Sequence, residues 1–291
     1  MRVHLVDGTY ELFRQFYGRP GHVNGDGTEV GATRAVLRNM LAMLDDGATH
    51  LAVATDSVVE SFRNELYDGY KSSEGMDPEI LAQFPLLDRG LLALGIATFA
   101  MVEYEADDAL GAAAAVAAAD PRVTQVLICT PDKDLAQCVE GDRVVQYDRR
   151  KDLVIDEPGV VEKFGVSPAS IPDYLGLVGD SADGFPGLPG WGAKSTATVL
   201  ARYGHIEDIP AAPGQWDVTV RGGAKLAATL VDQLADALLF RRIATLDLEA
   251  PTVDSVDELE WTGPTGDLEA VAALLDAPDL VRKAAALAAQ R

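Results

Sequence analysis

The chain has 291 residues, 48% of them hydrophobic, and a formal net charge of −22. That length suits one large domain or two smaller ones with a real core, and the apolar share excludes a disordered chain. The charge argues against a broadly basic nucleic-acid binder or a protein held on an anionic membrane, while leaving room for a local basic patch.

No apolar run reaches a membrane span, and "MRVHLVDG" lacks the shape of a secretion signal, so the expectation is a cytoplasmic protein with no membrane partner. Cys129 and Cys138 have neither the number nor the spacing of a disulfide framework or a zinc site, and both are expected to be reduced.

In chain order, "MRVHLV" predicts a strand ending at Asp7, residues 29–45 a helix, and "HLAVAT" a strand ending at Asp56. "SFRNELYDGYKSSEG" interleaves Phe62, Arg63, Tyr67, Tyr70 and Lys71. That mixture suits a strand whose bases stack while its phosphates meet charge, and equally an amphipathic surface helix. Residues 78–95 and 105–119 predict helices, "QVLICTP" a strand reaching Asp132 with Asp134 two residues on, and "RVVQYD" a strand after a turn. Strands alternating with helices imply a mostly parallel sheet covered on both faces. Ligands bind outside the carboxyl ends of such strands, so three segments are expected to deliver carboxylates to one edge.

The head of the 105–119 helix reads "EYEADDALG" and crowds Glu103, Glu105, Asp107 and Asp108 into six residues. Helix capping and the macrodipole account for one or two of them. Neighbouring carboxylates about 4 Å apart repel by roughly 4 kcal/mol at an effective dielectric near 20, and a divalent cation offsets this. Glu103 is expected to be surface charge. "CTPDKDLAQC" adds Asp132 and Asp134, and "VGDSADGFPG" adds Asp180 and Asp183, each of which also reads as a polar loop when taken alone.

After about 165 the texture turns glycine- and proline-rich. "GLPGWGAKSTATVL" reads as a hairpin opening a helix near Ala193. Gly187, Gly190 and Gly192 permit tight turns, and Lys194 joins the helix-start N–H groups as a site for backbone phosphate. A plain helix-to-helix turn is the alternative. Residues 221–245 predict further helix, and the stretch from 252 onward, acidic and then alanine-rich, carries no assigned function. Together the acids describe a metal-dependent phosphodiesterase with two carboxylate-held ions. The oxygen-rich donor set favours Mg²⁺ or Mn²⁺ over zinc. The four histidines, His4, His22, His50 and His205, are scattered without ligand spacing.

The ordered set "LVDG", "ATD…SFRNELYDGYK", "YEADDALG", "CTPDKDLAQ", "GDSADGFPGLPGWGAKSTA" and "RGGAKLAATL…LLFRRIATL" resembles the 5′-nuclease domain of bacterial DNA polymerase I and its flap endonuclease relatives, over roughly residues 1–250. With no room for a polymerase after it, the expectation is a stand-alone member. The resemblance implies a PIN-like α/β domain at 1–163, an all-α helix-three-turn-helix (helix-hairpin-helix) domain at 164–250, and a tail at 251–291. It implies a 5′-3′ exonuclease and 5′-flap endonuclease that acts on branched or nicked DNA in primer removal and repair, as a monomer. It also implies that Asp56, Glu105 and Asp107 hold one ion with Asp7 and Asp108 nearby, and that Asp132, Asp134 and Asp183 hold a second beside Asp180. Lys71 and Tyr70 would meet the scissile phosphate and its base, with Arg63 in the same DNA-binding segment. The 187–195 hairpin, Ser195 included, would bind K⁺ and the uncut strand, and Arg221 and Lys225 a further stretch of backbone. A catalytically weak branched-DNA binder and a PIN-type RNase are the alternatives. Three positions depart from the family pattern: Glu74 where a base is usual, Arg34 for an aromatic, and Gly184 for an asparagine. Arg34 or Arg38 is the candidate replacement for the charge lost at Glu74, and the departures leave flap threading and the balance of exo- and endonucleolytic cleavage open.

Overall fold

Four strands, β1 (Arg2–Asp7), β2 (His50–Asp56), β3 (Ala97–Met101) and β4 (Gln125–Cys129), lie parallel in the order β3-β2-β1-β4. Every residue of β2 is buried, as expected for a central parallel strand covered on both faces. The computed structural model describes all residues, Met1–Arg291, and these fall into two compact units. The first comprises Met1–Val59, Ser73–Thr130 and Asp247–Arg291, and the second Glu60–Ser72 and Pro131–Leu246.

In the first unit the sheet is accompanied by α1 (Gly8–Gly18), α2 (Gly31–Asp45), α4 (Pro78–Leu81), α5 (Gln83–Ala93), α6 (Ala106–Ala119), α12 (Leu268–Leu274) and α13 (Pro278–Ala288). α6 packs against all four strands. Its alanines explain how: small side chains let the helix approach the sheet, and alanine has the highest helix propensity. The expected 78–95 helix is broken at Ala82, where Pro85 cannot donate to the Leu81 carbonyl. Neither α1 nor β3 is expected from the sequence pattern. α1 starts directly after β1 because Asp7 caps it, and Gly8 is required there. A Cβ at Gly8 would stand 2.6 Å from Val53 Cγ1 and 2.8 Å from the Ala54 carbonyl oxygen.

Residues after 246 return to this unit and are well anchored. Trp261 donates from Nε1 to the Leu94 carbonyl at 2.7 Å, and Arg38 grips Asp279 on α13 with two bonds of 2.7 and 2.8 Å. The segment left without a role in the sequence thus completes the core around α2 and α5.

The second unit holds α3 (Arg63–Leu66), the antiparallel pair β5 (Val144–Asp148) and β6 (Leu153–Ile155), and helices α7 (Glu157–Phe164), α8 (Ile171–Val178), α9 (Ala193–Tyr203), α10 (Gly223–Asp232) and α11 (Leu234–Ala244). Its core gathers Leu175, Leu177, Phe185, Trp191, Val199, Leu226 and Phe240. The expected 221–245 helix is two, meeting at Gln233. Both cysteines are thiols, with Cys129 buried and Cys138 partly so. No helix is long and apolar enough to cross a membrane.

Candidate metal centre

In the first unit the acids are framed by backbone. Asp7 ends β1; its Oδ1 accepts from the Tyr10 N–H at 2.8 Å and its Oδ2 from the Thr130 hydroxyl at 2.9 Å. Asp56 ends the neighbouring strand; its Oδ1 accepts from the Ala106 N–H at 2.7 Å, which pins the head of α6, and its own N–H donates to Thr9 Oγ1 at 2.8 Å. Because β1 and β2 are adjacent and parallel, the two carboxylates leave the same sheet edge, as the strand pattern predicts. Glu105, 4% exposed, is the N-cap of α6; Asp107 is half-buried in its first turn; Glu103 is exposed.

Asp108 corrects the sequence reading. It is 0% exposed, its Oδ2 accepts from the Glu105 N–H at 3.0 Å, and its Oδ1 accepts from the Asp247 N–H at 2.8 Å. With each oxygen engaged by a main-chain donor and no face toward solvent, it caps α6 and ties the returning chain to it; it is not placed as an ion ligand. The crowding at "EYEADD" therefore divides into one surface acid, one strut, and Glu105 with Asp107.

In the second unit the acids are carried on loops. Asp132 is exposed, and its Oδ1 accepts from the Asp134 N–H at 3.0 Å at the start of a short 3-10 turn. Asp180 and Phe185 exchange two backbone bonds of 2.8 and 3.0 Å, closing the loop that presents Asp180 and Asp183. Asp134, Asp180 and Asp183 each offer an oxygen, and these lie within 4.8 Å of one another. Asp134 is 7% exposed, and its Oδ1 is buried without a hydrogen-bond partner. Burial, then the fields of Asp132, Asp183 and Asp180, push its carboxyl well above the usual carboxylate range. A buried, unpartnered oxygen among all-oxygen donors fits a hard divalent cation.

Two ammonium groups attend this set. Lys71 Nζ is 3.2 Å from Asp183 Oδ1, and its N–H donates to the Asp183 carbonyl at 3.0 Å. Lys133 Nζ is 2.7 Å from Asp180 Oδ2; it is not among the residues expected from the sequence, and its place between Asp132 and Asp134 is the signal that points to it. Gly184, at φ +86°, is required, because a Cβ there would stand 2.2 Å from the Gly69 carbonyl oxygen. An asparagine would meet both the strain and the clash.

In the aromatic and basic segment 61–75 the buried residues are Ser61, Arg63 and Tyr70. Arg63 is 2% exposed and donates from Nε to the Ile243 carbonyl at 2.8 Å and from Nη2 to the Thr245 carbonyl at 3.2 Å. Tyr70 is 6% exposed within the hydrophobic cluster, and Tyr67 packs edge-on against Phe240. Arg63 and Tyr70 thus hold the segment down and are not placed to touch DNA. The residue between a strand pattern and a surface cannot reveal this, since burial of an arginine depends on carbonyls 180 positions away.

The hairpin forms as expected. Gly187 and Gly190 adopt φ +66° and +89°, Gly192 is the N-cap of α9, and Lys194 is exposed. Ser195 Oγ bonds back to Gly192 at 2.9 Å, and Trp191 Nε1 anchors the turn on the Leu226 carbonyl at 3.2 Å. Arg221 and Lys225 are exposed at the start of α10. Of the two arginines on α2, Arg38 is committed to Asp279, whereas Arg34 has Nε and Nη1 buried without partners. Burial, then Arg38, draws the Arg34 guanidinium below its ordinary value. Glu74 is exposed.

The family described as 5′-3′ exonuclease, N-terminal resolvase-like domain matches residues 2–165, and that described as 5′-3′ exonuclease, C-terminal SAM fold matches residues 166–267. DNA polymerase I of Bacillus caldotenax is 33% identical over 278 residues, which cover 93% of this chain and 30% of that polymerase. A 5′-3′ exonuclease of Aquifex aeolicus is 32% identical over 209 residues, 71% of each chain. Among solved structures, the T5 D15 protein co-crystallised with metal ions superposes with a TM-score of 0.66 at 19% identity over 99% of this chain and 98% of that one. The catalytic core of Rad2 in complex with DNA substrate gives 0.63 at 14% identity over 98% and 92%. This chain spans under a third of the length of the polymerases it matches.

Proposed function

We propose that this chain, which belongs to the 5′-3′ exonuclease family of phosphodiester hydrolases, is a structure-selective, metal-dependent 5′-3′ exonuclease and 5′-flap endonuclease of DNA with a place in primer removal and repair. The observation that carries the reading is the buried Asp134 oxygen without a partner, grouped with Asp180 and Asp183 beside Lys71.

Two divalent ions, Mg²⁺ or Mn²⁺, are held: one by Asp56, Glu105 and Asp107 with Asp7 nearby, the other by Asp132, Asp134 and Asp183 with Asp180 beside them. Such ions, when bound, lower the pKa of water and neutralise charge on phosphodiester oxygens. The protein's part is positioning. The backbone bonds to Asp7 and Asp56 keep those carboxylates in place without induced movement. Lys71, partly exposed at 27%, offers its ammonium to the scissile phosphate. The exposed start of α9, with Lys194, meets uncut-strand phosphate, and a K⁺ ion at the 187–195 hairpin serves the same contact. Arg221 and Lys225 extend it along the backbone. In this division of labour residues 1–163 cut with the help of Asp180 and Asp183, the rest of residues 164–250 grips duplex, and the protein works as a monomer.

The test is cleavage of a labelled 5′-flap duplex with Mg²⁺ or Mn²⁺, with the 5′ end open or blocked. Wild type is expected to cut, Glu105→Gln and Asp132→Asn to be inactive, and blocking to report threading. Wild type as inactive as Asp132→Asn, with branched DNA still bound, would instead make it a DNA-junction binder; faster cleavage of single-stranded RNA would make it an RNase.

A further inference from the structure

Lys133 sits between two acids of the second set, yet its ammonium is bound by a third. Its Nζ is 2.7 Å from Asp180 Oδ2, while Asp180 Oδ1 accepts from the Ala182 N–H at 2.9 Å. Asp180 is 3% exposed, so one of its oxygens belongs to the backbone and the other to the lysine. Lys71 holds Asp183 in the same manner at 3.2 Å. Lys133 and Lys71 therefore each place an ammonium on one acid of the set. Two of the acids grouped with Asp134 are thus held by ammonium groups, while Asp134 keeps a buried oxygen without a partner.

The surroundings of Lys133 leave it room to move. It lines a cavity of about 510 Å³ with Gly179, Ser181 and Gly184, and its side chain is 36% exposed. Uncompensated buried carboxylates are costly, and a cation on a flexible four-carbon stem can relieve that cost without fixed geometry.

We propose that Lys133 is the resident counter-ion of the second acid set: its ammonium occupies Asp180 in the metal-free protein and moves into the adjoining cavity when a divalent ion arrives. Ion uptake at this site is then an exchange of cations. Lys133 is a positioning residue, acting through Asp180. The inference rests on the reading that these acids hold a divalent ion.

The experiment is Mn²⁺ titration of the whole protein by calorimetry without DNA, with the second site identified as the binding event lost in Asp134→Asn. Lys133→Met is expected to bind Mn²⁺ at that site about tenfold more tightly, since the ion no longer faces a resident unit charge, and to melt lower without metal. Lys133→Arg keeps the charge and adds a second N–H toward the carboxylate, and is expected to weaken Mn²⁺ uptake several-fold. If no event is lost in Asp134→Asn, the ion-site reading and this inference fall together. If the event is present, but Lys133→Met binds no more tightly than wild type or Lys133→Arg binds more tightly, the ion site stands and the counter-ion is overturned. Should Lys133→Met fail to fold, the arginine variant alone decides.

Discussion

The two acid sets are both built from carboxylates but differ in their partners. In the first unit, Asp7, Asp56 and Asp108 take N–H groups of the main chain as partners. In the second, Asp132 and Asp180 each take one main-chain N–H as well, but Asp180 and Asp183 also take lysine ammonium groups, and Asp134 keeps an oxygen with no partner. A main-chain donor cannot leave without unfolding its element, whereas an ammonium on a flexible stem can. The first set is therefore a rigid frame, and the second is a set whose charge balance remains open to exchange. Carboxylates that look alike in sequence divide into those that serve the fold and those that strain it.

The largest expected effect tests whether the strained set is the working one. Asp134→Asn should lower flap cleavage by about a thousandfold or more, the scale of several kcal/mol of lost charge stabilisation, with the circular-dichroism spectrum unchanged. Cleavage within tenfold of wild type would remove Asp134 from the site. Next comes the frame: Asp108→Ala leaves one buried and one part-buried N–H group without an acceptor and should destabilise the protein by about 2–4 kcal/mol in urea denaturation. Activity per folded molecule should fall far less than in Asp134→Asn. The reverse ordering would return Asp108 to the ion site.

A third prediction concerns pH. The folded pKa of Asp134 is raised above its unfolded value, so the native state holds the proton more firmly than the unfolded chain does. Stability of the metal-free protein therefore declines as pH rises from the unfolded value through the raised one. Asp134→Asn should flatten that decline and melt about 2–4 °C higher at neutral pH without metal, on the scale of 1 kcal/mol; an unchanged melting profile from pH 4 to 8 would contradict it. The smallest effect separates the helix start from the lysine-held acids. Lys194→Ala should weaken flap-duplex binding modestly and reduce the slope of log K against log salt by about one, without altering Mn²⁺ affinity. A change in Mn²⁺ affinity with the salt slope intact would refute the phosphate contact.

Much of the site was legible because strand ends and helix starts announce themselves locally. Asp7 and Asp56 follow apolar strand runs, Glu105 heads an alanine-rich helix, and the hairpin before Ala193 is marked by its glycines. What failed did so through partners distant in the chain. Asp108 and Glu105 are indistinguishable in "EYEADD" until Asp247 arrives from 139 residues away to claim one oxygen. Arg63 and Tyr70 read as a DNA-facing pair, and are buried because carbonyls at the end of α11 and the core around Phe240 receive them.

The sequence by itself determined several of the elements and the chemistry on offer: parallel strands ending in acids, a helix that must lie close to a sheet, and an all-oxygen donor set. Periodicity and residue type act within a few positions of themselves, so they suffice for that much. Which acid binds an ion, which caps a helix and which is held by a lysine was decided by tertiary structure alone. The reason is physical: a buried carboxylate takes whatever donor the fold brings to it, and the donor's mobility decides whether that carboxylate remains available.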